Sequence, residues 1–198
     1  MIGQVLAIEP SGERFLKIQF FSNESGLSMG LLRHSKKGSG STRPDIFDQA
    51  EVTWQRSSGA GASFCSDYRL IHRRDKLAHN YRSFEMAARF CRLFLQNGKH
   101  WQHPEGPGSR LSKALDLWEE GLPAEVVYLK GLYLLLEDEG LPVREEWWTG
   151  LSSPNQQLTK QILSSGWEEI EGNSDLRPSA RLLESLEEWA IKHHFQPW

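Results

Sequence analysis

The chain has 198 residues, of which 38% are hydrophobic and 25% charged. That is ordinary globular usage, which supports a packed core, excludes global disorder and leaves room for one large domain or two small ones. The formal net charge of −3 excludes a surface that is basic all over, but the two halves differ. Eleven Lys and Arg stand against eight Asp and Glu through His79, and twelve against eighteen from Asn80 onward.

The first part reads as short strands. Val5 to Ile8 form an apolar run that ends at Pro10, and Ser11-Gly12 supplies a turn. In RFLKIQFFS, Leu16, Ile18 and Phe20 alternate with Lys17 and Gln19, the two-residue period of a half-buried strand. After the turn NESG, residues 27–32 form a third strand candidate. QAEVTWQR then puts Val52 and Trp54 on one face, and SFCSDYRLIH gives a fifth run. Five short strands with glycine turns predict a small sheet or barrel.

The period changes near residue 76. Leu77, Tyr81, Phe84, Ala88, Cys91 and Phe94 recur at steps of four and three, which predicts an amphipathic helix closed by Asn97-Gly98. HPEGPGS, at 103–109, reads as a loop, and a helix follows through Leu111, Leu115 and Trp118. Pro123 opens another helix and Gly140 closes it. Ser153-Pro154-Asn155-Gln156 has the pattern of a capping box, and a last helix begins near Pro178. The second part is therefore expected to be a helical bundle. Adjacent Trp147 and Trp148 cannot face the same way on a helix, so one is expected to line a groove or an interdomain seam, a setting that would suit a hydrophobic partner peptide.

No catalytic constellation is present: there is no phosphate-cradling Walker pattern, no HExxH and no GxSxG. Cys65, with His72 nearby in sequence, reads better as a small buried thiol than as a nucleophile. His100 with His103, and His193 with His194, lack the further ligands a metal needs. The acidic groups suit solvated helix ends. No stretch has the length of a membrane span, Met1-Ile2-Gly3-Gln4 is not a secretory leader, and the two isolated cysteines suit a reducing compartment, so a cytoplasmic protein is expected.

The basic residues carry more information. Arg33, His34, Lys36 and Lys37 cluster within five positions, and Arg43 follows across a glycine-serine stretch. Arg69, His72, Arg73, Arg74 and Lys76 form a second cluster. Lys17 shares the polar face of the second strand with Phe15, Gln19 and Phe21. Cations for phosphates beside rings for bases are the recipe for binding single strands. Packing of Phe15 and Phe21 against the helices is the competing reading.

The ordered pieces Gly12-Glu13, Phe21-Ser22, Gly26 and Arg33 to Lys37, followed by PDIFDQAEVTW, LAHNYRSFEMA and LLLEDEGLPVREEW, resemble the RecO family of bacterial recombination mediators over roughly the first 150 residues. The resemblance implies an α+β chain, with an N-terminal five-stranded OB-fold barrel over 1–78 and an all-α helical domain over 79–198. It implies no enzymatic activity and no cofactor. It implies binding and annealing of single- and double-stranded DNA, pairing with a RecR-like mediator protein, and docking of the tail of single-strand DNA-binding protein. Many relatives carry a four-cysteine zinc module; this chain has no CxxC and resembles a short, zinc-free member. The DNA-binding residues expected from charge and placement are Lys17, Arg33, His34, Lys36, Lys37, Arg43, Arg73 and Arg74. An adaptor that holds a protein on the barrel and a peptide on the tryptophan-rich helices is the alternative.

Overall fold

The computed structural model describes residues 1–33, 43–55, 63–171 and 176–195. Five strands, β1 (Ile2–Ser11), β2 (Phe15–Ser22), β3 (Gly26–Arg33), β4 (Gln49–Gln55) and β5 (Phe64–His72), close into a barrel in the order β1-β2-β3-β5-β4. All neighbours are antiparallel except β3 and β5, which run parallel through Leu31↔Phe64 and Leu32↔Cys65. This is an OB-like barrel, and closure leaves few free strand edges.

Alternation explains which side chains fill it. Leu16, Ile18 and Phe20 of β2 point inward, and Ile18 and Phe20 join Val5, Ala50, Val52 and Cys65 in the barrel core. Trp54 shares the face of Val52, as its spacing predicts, and packs on this cluster. Its ring covers Gly30, where a β-carbon would strike the indole, so the close approach requires glycine there.

A 3₁₀ turn (Asp75–His79) leads into α1 (Tyr81–Asn97), and α2 (Glu105–Glu120) follows. Then come α3 (Ala124–Asp138), a π-helical segment (Val143–Trp148), α4 (Ser153–Ser164), α5 (Trp167–Glu171) and α6 (Ala180–Lys192). Several local expectations change. Tyr81 is 78% exposed, because the Asn80 side chain accepts from the amides of Arg82 and Ser83 and starts the helix there. The buried face of α1 runs through Met86, Ala87, Phe90, Cys91, Leu93 and Phe94, so Cys91 and Phe94 are buried as their spacing predicts while Phe84 and Ala88 are half-buried. The 103–109 segment is not all loop: α2 begins at Glu105, and Pro107 is tolerated in its first turn. There is no capping box at α4. Ser152 is the cap residue without a side-chain bond, while Gln156 Nε2 reaches back to the carbonyls of Thr149 and Leu151.

The chain divides into two compact units. One comprises Met1–Asp75 and Phe94–Ser112, the other Lys76–Leu93 and Lys113–Trp198. The change of sequence period near residue 76 falls at the first border between the units, and the chain then returns to the barrel unit for Phe94–Ser112. In the helical unit α3 is central and packs against α4, α6 and the π-helical segment. It is buried nearly all round, including Lys130, whose ammonium donates to the Ser165 carbonyl at 2.6 Å and lies over the Trp167 ring. Burial lowers the Lys130 pKa. Trp147 is buried and Trp148 half-buried, with the Arg144 guanidinium 5.5 Å from the Trp148 ring centre. No helix among the described residues is long and apolar enough to cross a membrane.

Candidate nucleic-acid interface

Strand register decides which side chains share the outer face of the barrel, because directly opposed residues project to the same side. Phe15 faces Arg33, Lys17 faces Leu31 and Gln19 faces Met29. Across the parallel seam Leu31 faces Phe64. Phe15 and Phe64 meet edge to face, with ring centroids 5.9 Å apart. Phe64 is 37% exposed and Met29 54%. A pair of partly exposed rings, an exposed arginine and a lysine thus lie together on β2, β3 and β5. Gly12, Glu13 and Arg14, the β1–β2 turn, border them.

The same face of β2 ends differently. Phe21 also points outward, but it is buried under Phe94 and Trp101, at centroid distances of 5.0 and 5.6 Å. Gly108 fits close to this roof, where a β-carbon would strike Asn23 Oδ1. The two readings of the phenylalanines therefore divide between them. Phe21 packs against Phe94 of α1 and Trp101 of the α1–α2 connection, while Phe15 stays on the open face.

The expected cations separate into two groups. Lys17 and Arg33 lie on the open face. Lys17 donates to Glu9 at 3.0 Å in an exposed pair, worth at most about 1 kcal/mol and readily exchanged for a phosphate. His34, Lys36 and Lys37 lie outside the described residues. Arg43, Arg73 and Arg74 sit at the opposite end of the barrel, where Gln49 of β4 opposes Gln4 of β1 and His72 of β5. The structure does not bring them to the face of Phe15 and Arg33.

Those arginines serve the barrel itself. Asp48 is fully buried and accepts from the Asp45 amide at 2.8 Å, the Tyr68 hydroxyl at 2.8 Å, and Arg73 Nε and Nη2 at 3.1 and 3.0 Å. Burial and then the Asp48 carboxylate push the Tyr68 pKa far up, and the hydrogen bond to Asp48 raises that of Arg73. Arg73 Nη2 also donates to the Arg43 carbonyl at 2.5 Å. Arg74, only 4% exposed, donates to Gln4 Oε1 at 2.8 Å and to the Phe47 carbonyl at 2.6 Å. That second bond steadies Phe47, which holds a left-handed φ of 67° that a phenylalanine rarely adopts. Arg69 of the same sequence cluster pairs with Glu51 through Nε at 2.8 Å. Buried Arg74 is thus removed from any phosphate-binding set, and the second basic cluster is chiefly a structural one.

Cys65 is not placed for nucleophilic chemistry. Its thiol is buried in the barrel, donates to the Asp67 carbonyl at 3.1 Å, and is pushed up to about 11 by burial, so it stays protonated at neutral pH. Sequence reasoning missed Phe64, Met29 and Leu31. Their alternation with Arg33 on β3 was a usable signal, whereas the place of Phe64 beside them follows only from the parallel β3–β5 pairing.

No family model matches the chain, and no curated protein matches it.

Proposed function

We propose that the β2–β3 face of the barrel binds single-stranded nucleic acid, and that the chain is a non-catalytic, RecO-like recombination mediator acting on DNA in the cytoplasm. The observation that carries the binding reading is the Phe15–Phe64 pair beside Lys17 and Arg33 on the open face of a closed five-stranded barrel. Exposed rings stack on unpaired bases without reading sequence, and the cations meet phosphates. OB-like barrels present this face to oligonucleotides. The mediator role rests on the sequence resemblance alone. With it come binding to duplex DNA, strand annealing, the RecR-like partner and the tail of single-strand DNA-binding protein.

Two substitutions test the face. Phe64→Ala is expected to weaken single-strand binding by about 1–3 kcal/mol, the worth of one stacked base, with a smaller effect on duplex. Arg33→Ala is expected to flatten the dependence of log affinity on log salt by about 0.7 for each phosphate it no longer neutralises. Equilibrium titrations at several salt concentrations read both quantities. Unchanged affinity and slope in both folded variants would remove this face from the DNA site.

A further inference from the structure

The two cations of the open face are not equivalent. Strand register sets side chains of β3, β2 and β1 in rows: Arg33, Phe15 and Ser11 form one, Leu31, Lys17 and Glu9 the next, and Met29, Gln19 and Ala7 a third. Of these rows only the middle one carries a carboxylate. Glu9 stands directly opposite Lys17 on the neighbouring strand, and its Oε2 accepts from the Lys17 ammonium at 3.0 Å. The pair is thus set by the barrel's own register. Arg33 shares its row with a ring and a hydroxyl. Two features let the pair yield. Both partners are wet, with the Lys17 and Glu9 side chains 34% and 55% exposed. Among the described residues β4 pairs with β1 only over Ile2–Gln4, so at Glu9 the carboxylate borders solvent into which it can turn.

Resting on the single-strand reading above, we infer that Glu9 is a built-in competitor for phosphate: it occupies Lys17 in the free protein and holds the affinity of this face below what its cations would give alone. One ammonium serves either the carboxylate or a phosphate, so a strand that engages Lys17 must first displace Glu9. The cost is that of an exposed ion pair, at most about 1 kcal/mol, which is about fivefold in affinity. Arg33 gives up no such partner in its row. The attenuation shortens the stay of a bound strand, because affinity differences between related complexes lie mostly in the dissociation rate.

A double-mutant cycle reads this competition, with a matched pair as control. Glu51 of β4 opposes Arg69 of β5 and accepts from its Nε at 2.8 Å, a second exposed cross-strand ion pair. It lies four residues along β4 from Gln55, the residue opposite Phe64, a separation of about 13 Å. Glu9→Gln and Glu51→Gln change the net charge equally. The probe is a labelled oligothymidylate of about 12 nucleotides, within the range one such barrel covers. It is titrated at about 0.1 M salt, where charges beyond about 10 Å are largely screened. Glu9→Gln is expected to tighten binding about fivefold and Glu51→Gln by less than about twofold, since its charge is remote and screened. In a Lys17→Ala background Glu9→Gln is expected to change affinity by less than about twofold, because the ammonium it competes for is gone. No tightening by Glu9→Gln beyond that of Glu51→Gln overturns the inference. Equal tightening with and without Lys17 also overturns it, since Glu9 then acts by plain repulsion of the strand. Both results leave the single-strand reading standing while the wild type binds. No binding by the wild type and by Glu9→Gln alike removes that reading, and the inference with it.

Discussion

Replacing Arg89 by alanine is expected to destabilise the helical unit by about 3 kcal/mol at neutral pH. That is the low end for breaking a buried ion pair, because Arg89 keeps a quarter of its side-chain surface in water. Its partner does not: Glu187 of α6 is 1% exposed. Glu187 Oε1 accepts from Arg89 at 2.6 Å and from the Tyr128 hydroxyl at 2.7 Å, while Oε2 is buried with no partner. The guanidinium also lies 5.2 Å from the Tyr128 ring centre. Removing it leaves a carboxylate with one donor in a dry interior.

The sign of the pH dependence follows from the same arrangement. Burial raises the Glu187 pKa above its ordinary value, against the opposing pull of Tyr128 and Arg89. The folded state then holds the proton where the unfolded chain has released it. The stability this group contributes is fully present below the ordinary glutamate value of about 4.3, and is lost as pH rises through the raised one. Arg89→Ala should deepen that loss, so its deficit shrinks in acid. Glu187→Gln should remove the Glu187 part of the slope. Urea midpoints measured from about pH 4 upward to about pH 8 test both; a deficit in Arg89→Ala that grows in acid would contradict the account.

The second large effect is expected at Arg74. Arg74→Ala strips donors from Gln4 Oε1 and the Phe47 carbonyl inside the barrel unit. Each buried acceptor that loses a donor costs about 1–3 kcal/mol, so a total loss of about 2–6 kcal/mol is expected. Its salt slope for single strands should match the wild type, because Arg74 neutralises no phosphate. A folded variant of unaltered stability with a flatter slope would restore Arg74 to the binding surface.

This contrast shows what local sequence can carry. The strands of the barrel are legible because burial on one side imposes a two-residue period, as in Leu16, Ile18 and Phe20. The helical character of the second part is legible through the step from period two to period 3.6. Strand closure is not, because the Leu31–Phe64 pairing joins residues far apart in the chain and leaves no local trace. The same limit governs the cations. Arg73 and Arg74 read as a basic cluster because their acidic and amide partners, Asp48 and Gln4, lie 25 and 70 positions away. Phe15 and Phe21 have equal claims in the alternation, and only the roof of Phe94 and Trp101 separates the packing ring from the exposed one.

Titration of the full chain with a labelled single-stranded oligonucleotide, at low and then high salt, tests the central claim most directly. Saturable binding at low salt that weakens steeply as salt rises is the predicted result, since phosphate contacts release counterions. Absence of binding at both salt concentrations would contradict it, and would leave the barrel face to a protein partner.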